Sequence, residues 1–181
     1  QVMLARAGLH YPDDYEFVLA GVHTARWAAL QNGEADAAPQ PAPWNFLAER
    51  EGYGLLGEVS DAIPEIIFAG VVANAAWLKD NEGTARRLIA ALSEAHDFIN
   101  DPANDAVSGP IYQRLTTPDD PDLAARGLRY TRDLGMWPRG LRVSPKALEA
   151  TIDAMIQANL LPGEQRAAAV GALYPGLTDE K

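Results

Sequence analysis

Ala28-Ala29-Leu30-Gln31-Asn32-Gly33-Glu34-Ala35-Asp36-Ala37-Ala38, followed by Pro39-Gln40-Pro41-Ala42-Pro43-Trp44, is the stretch on which the fold of this chain turns. An alanine-rich helix runs into Gly33, the residue type that supplies the left-handed conformation favoured just past a helix C-terminus. A very short apolar strand is expected at Ala35–Ala38. A proline-punctuated turn then opens a second helix carrying Trp44, Phe46 and Leu47. Helix, glycine turn, short buried strand and loop together predict an open parallel sheet. In such sheets ligands bind outside the carboxyl ends of the strands.

The flanking sequence extends the pattern. Tyr15–Ala20 is apolar towards its end and reads as the preceding strand. Gly21-Val22-His23-Thr24 forms the loop after it, with Thr24 placed to cap a helix from Ala25 to Asn32. A helix from about Ala42 to Glu51 and a third strand at Leu55–Val59 follow. The alternation with short loops predicts an α/β fold, a parallel sheet flanked by helices with right-handed crossovers. Ile63–Asn74 is the most apolar run of the chain. Pro64 at its start and Gly70 within it suit a hinge segment, and a plain buried strand equally. The remainder reads as helical. Thr84–Asn100 presents Ala85, Leu88, Ile89, Leu92, Ala95 and Ile99 on one face. Asp120-Pro121 and Ser144-Pro145 each offer a capping side chain followed by a proline at the first helical position.

Composition narrows the function. A net charge of −10 argues against nucleic acid or an anionic membrane as partner, since both call for a basic patch. The absence of cysteine removes disulfides, thiolate nucleophiles, cysteine-rich zinc sites and iron–sulfur ligation together. No apolar run reaches the ~18 residues of a membrane span. The chain opens on Gln1 rather than Met, and Gln1–Leu9 reads as the end of a helix begun earlier, so a fragment or processed product is expected.

The segment Arg26–Ala38 resembles the "AL..GE.DA" stretch of periplasmic substrate-binding proteins. The subgroup is the NMT1-like one serving nitrate, sulfonate, taurine and thiamine-precursor ABC importers. Leu4-Ala5-Arg6-Ala7-Gly8-Leu9, Pro43-Trp44 to Gly52, and Thr84-Ala85-Arg86-Arg87-Leu88 through Asn100-Asp101-Pro102 fit the same order. The resemblance implies the second lobe of a type II periplasmic-binding-protein fold. Residues 1–62 would form its ligand-binding βαβαβ segment and 63–74 the crossing strand. Residues 75–181 would be a helical part packing on a first lobe that precedes Gln1. It implies a non-catalytic receptor, without cofactor or metal, in the periplasm or tethered outside the membrane. Its partners would be a small-molecule solute and a membrane ABC permease, with self-association of the chain also expected. Two other readings are the effector-binding domain of a transcription regulator and a thiamine-pyrimidine-synthase-like enzyme. The cysteine-rich iron motif of the latter has no counterpart here.

Motifs for catalysis are sparse. Gly52-Tyr53-Gly54-Leu55-Leu56-Gly57 matches GxGxxG, but it follows a helix and leads towards a strand, the reverse of the dinucleotide fingerprint. His10, His23 and His96 are too scattered for a metal motif. The candidate ligand-binding residues are Gly21, Val22, His23, Thr24, Gln40, Pro41 and Trp44, in the loops after the first two expected strands. Trp44 offers an aromatic wall and Gln40 a polar anchor, the mixture that pockets use. The backbone N–H groups after Gly21 open a helix and can receive a carbonyl or an anion. Arg26, one turn further into the helix, is within reach of a carboxylate or sulfonate held there. Simple loop exposure of His23, core packing of Trp44 and a solvated Arg26 fit the same residues. Trp77 and Trp137 read as packing residues.

Overall fold

The computed structural model describes residues 1–172. Its α-helices are α1 (Val2–Arg6), α2 (His23–Gln31), α3 (Trp44–Arg50), α4 (Val59–Ala62), α5 (Ala75–Asp80), α6 (Glu82–Asn100), α7 (Asp105–Thr116), α8 (Pro121–Asp133), α9 (Pro145–Gln157) and α10 (Arg166–Gly171). The described residues contain no strand, so the expected α/β fold, a parallel sheet flanked by helices, is corrected to an all-helical one.

The reason lies in where backbone hydrogen bonds go. A strand exists only with a ladder partner, and β-rich composition merely fits a pleated surface that other strands must furnish. Within Tyr15–Ala20 the only backbone bond is the local one from Ala20 N–H to Val18 C=O, and Leu19 is 96 % exposed. Ala35–Ala38 loses its first donor to the end of α2, where Glu34 and Ala35 N–H both reach Ala29 C=O at 2.8 and 3.2 Å. The prolines at 39, 41 and 43 then remove further donors. Leu55–Gly57 is exposed and unpaired, and Val59 already belongs to α4. Along Ile63–Asn74 only Ile63 and Ile67 place their N–H groups on partners among the described residues, Val59 C=O and Thr151 Oγ1.

The helices divide into two compact units. One unit holds Gly8–Leu56 and Pro102–Met136, with α2, α3, α7 and α8. Its core is Trp27, Ala29, Phe46, Leu123, Ala124 and Leu128, together with the fully buried ring of Pro43. α7 and α8 pack as a helical hairpin. Asp120 caps α8 by accepting from Leu123 N–H at 2.9 Å, with Pro121 at the first helical position, as its sequence predicts. α3 lies on α8 through the Phe46 and Tyr130 rings, whose centroids are 5.1 Å apart edge to face. Arg126 stacks over Phe46 at 3.9 Å and pairs with Glu49 at 2.6 Å, while Arg50 pairs with Asp120.

Asp120 therefore carries a pH dependence. The hydrogen bond from Arg50, followed by that from Leu123 N–H, holds its carboxyl below the ordinary value of 3.8. A depressed folded pKa contributes stability above the ordinary value, and that contribution is lost as pH falls through the lower folded one. Melting curves at neutral pH and at about pH 3 should show the wild type losing more stability than Asp120→Asn, which keeps an oxygen for the cap but no charge. Equal losses would remove the Arg50 pairing from the acid response.

The other unit holds Gln1–Ala7, Gly57–Asp101 and residues 137–172, with α1, α4, α5, α6, α9 and α10. Ala62, Leu78, Ala85 and Ile152 are its buried apolar residues. α6 turns Ala85, Ile89, Leu92 and Ile99 inward, whereas Leu88 and Ala95 of the expected face are exposed. Asn100 donates to Trp137 C=O at 2.6 Å and His96 meets Pro138 C=O at 3.1 Å, fixing the chain past Trp137 along α6. Ser144 caps α9 by accepting from Ala147 N–H at 2.9 Å, again as its sequence predicts. Asn74 does the same for α5, accepting from Ala76 and Trp77 N–H. Trp77, expected as a packing residue, is 45 % exposed.

Candidate ligand-binding site

Two helix starts carry the candidate site. Gly21 has φ +94°, a backbone conformation that turns the chain at little cost only for glycine. α2 then begins at His23, earlier than expected, with Val22 at the cap position and no side chain capping it. Thr24 is thus inside the helix and does not cap it, a correction to the sequence reading. The first N–H groups of α2 carry no side-chain acceptor. α3 begins at Trp44, after the fully buried Pro43. Pro43 rests on Gly127 of α8, the position where a side chain would collide with it.

These starts bring His23 and Trp44 together, ring centroids 5.3 Å apart and tilted by 49°. Both rings are half-buried, as are Gln40 and Pro41. Gly21, Val22 and Thr24 are exposed. The Gln40 amide oxygen and nitrogen are both buried and bonded to no partner. Two further groups share that condition: Asn45 Oδ1, next to Trp44, and Arg26 Nε, one helical turn beyond His23. Burying a polar group without a partner costs about 1–3 kcal/mol, so native proteins hold few of them.

Asn45 is not among the residues expected from the sequence, and Arg26 is expected there either to reach an anionic group or to be solvated. The signal for Asn45 was its place in the first turn of a helix without a capping role, since Asn is favoured at caps and disfavoured inside helices. Arg26 carried no comparable signal, because burial of its Nε follows from packing.

A separate groove of about 380 Å³ is lined by Phe46, Glu49, Arg50, Asp122, Leu123 and Arg126. It contains none of the seven expected residues. Its arginines are already matched to Glu49 and Asp120, so it reads as a seam between α3 and α8. The unmatched polar groups instead lie around the starts of α2 and α3. Among the described residues no group of three His, Asp or Glu side chains is placed to hold a metal ion. No helix there is long and apolar enough to cross a membrane.

Comparison with curated proteins and with solved structures finds no match to this chain. Comparison with protein families finds one, the NMT1-like family, over residues 1–111. The matched region runs from α1 into α7 and includes His23, Arg26, Gln40, Trp44 and Asn45. On that match, which covers more than half of its length, the chain belongs to the NMT1-like family.

Proposed function

We propose that this chain is the solute-binding component of an ABC-type importer. It captures a small polar organic molecule where α2 and α3 begin and delivers it to a membrane permease. It works in the periplasm or tethered outside the membrane. Family membership is compatible with a solute-binding role. The observation that carries the reading is the Gln40 amide, a donor and an acceptor both buried with nothing bound to them. Asn45 Oδ1 adds an acceptor and Arg26 Nε a donor. A solute that itself bears donors and acceptors matches this set, and the His23–Trp44 pair gives it an apolar wall. No serine, threonine or carboxylate among the described residues of this set is placed beside the His23 ring as a nucleophile partner, and the reading is therefore binding rather than catalysis.

One substitution separates this role from a structural one. Gln40→Leu removes the unmatched amide at similar volume, and should stabilise the ligand-free protein by about 1–3 kcal/mol. The same variant should lose its response to solute. The check is a thermal-shift screen of both proteins against a panel of small carboxylates, sulfonates, amines and amides. A bound solute at about a hundred times its Kd raises native-state stability by about 2.7 kcal/mol. A solute that raises the wild-type melting temperature and leaves Gln40→Leu unmoved supports the reading. A solute that shifts both proteins equally places binding elsewhere.

A further inference from the structure

We propose that residues 68–73 pair with the same segment of a second copy of this chain, strand against strand, to form a dimer. Up to Ile67 this segment is held in place. Ile63 and Ile67 are half-buried, Ile67 N–H donates to Thr151 Oγ1 at 2.8 Å, and Glu65 pairs with Lys146. Beyond Ile67 the hold ends. Phe68-Ala69-Gly70-Val71-Val72-Ala73 is exposed throughout, with Phe68 72 % and Val72 92 % accessible. None of its backbone N–H or C=O groups meets a partner among the described residues.

Those free groups select the kind of partner. A lipid or a small solute cannot answer a row of alternating donors and acceptors, whereas another extended chain can. The composition selects the copy. The segment is uncharged and proline-free, with aromatic and β-branched side chains, the type of sequence that pairs with itself. Charge points the same way. At a net −10, two copies repel over most of their surfaces. The run Ile66–Leu78 is the longest without a charged residue, and Glu65 at its border is neutralised by Lys146. Two other exposed apolar stretches lie close to several acids in sequence: Phe17–Val22 follows Asp13, Asp14 and Glu16, and Leu55–Gly57 lies between Glu51 and Glu58. A two-fold axis sets one patch against itself, and here that brings apolar residues against apolar ones, with the exposed Trp77 extending the surface.

Light scattering coupled to size exclusion tests this on the 181-residue chain from low to high micromolar concentration. The wild type should reach twice the monomer mass of 19.5 kDa. Val72→Lys, whose side chain stands in solvent, should remain monomeric, with the circular dichroism spectrum that the wild type shows as a monomer at low concentration. Leu19→Lys, which charges a different exposed stretch, should still dimerise. Infrared spectra of the dimer should show an intermolecular β band that Val72→Lys lacks. A monomeric wild type, a dimeric Val72→Lys, a monomeric Leu19→Lys or a dimer without the β band would each overturn the proposal.

Discussion

Gly127→Leu should lower the melting temperature of the protein by about 10 °C or more, one of the two largest effects expected here. A Cβ at residue 127 would stand 2.8 Å from Pro43 Cβ, 3.3 Å from Pro43 Cα and 3.1 Å from the Tyr112 hydroxyl. Pro43 is fully buried and two of the clashing atoms belong to its ring, so no flexible side chain can move aside. Two effects oppose one another. Alanine in place of glycine within a helix gains about 1 kcal/mol of propensity, while overpacking a closed site costs about 1–3 kcal/mol. For Gly127→Ala the clash should win narrowly, and for leucine decisively. A domain of 60–100 residues loses about 4–8 °C per kcal/mol. Calorimetric melting of both variants checks the order; a Gly127→Leu protein as stable as the wild type would mean that α3 does not rest on α8 as described.

Trp27→Ala should be comparably severe, costing about 3–5 kcal/mol. Trp27 is 7 % exposed, and its ring meets Tyr53 edge to face at 5.3 Å, fastening α2 to the chain just past α3. Truncation leaves a cavity where the indole was buried. Trp27→Phe retains a ring and should cost clearly less. Denaturant unfolding of the two variants gives the comparison, and equal losses would show that the ring contact with Tyr53 is not what matters. Because α2 also carries His23 and Arg26, Trp27→Ala should weaken solute binding as well.

What could be read ahead was local. Gly33 does adopt a positive φ, +70°, just past α2, and the Asp120-Pro121 and Ser144-Pro145 pairs do start α8 and α9. Each of these signals acts within one helical turn. The sheet was misread because pairing is a property of two segments, and apolar, β-branched stretches such as Phe68–Val72 say nothing of their partners. α7 escaped notice for the opposite reason. Pro110 lies inside it, where proline ordinarily ends a helix, and packing against α8 accompanies its persistence. At the site, His23 and Trp44 stood out as residue types at loop ends. Asn45 emerges only once packing shows which polar atoms are buried without a partner, and the same observation decides between the two readings of Arg26.

The claim that the site lies where α2 and α3 begin is tested most directly by nuclear magnetic resonance. Uniformly ¹⁵N-labelled protein would be titrated with the small carboxylates, sulfonates, amines and amides of the panel. Among the described residues no other glutamine has both amide atoms buried and unmatched, so the Gln40 side-chain amide is the signal to follow, with the Trp44 indole beside it. The account predicts that an active solute shifts these two signals and the backbone amides of His23, Thr24 and Asn45, and that Gln40→Leu abolishes the shifts. Shifts confined to Arg50, Leu123 and Arg126 in the α3–α8 groove, with Gln40 and Trp44 unmoved, would contradict it.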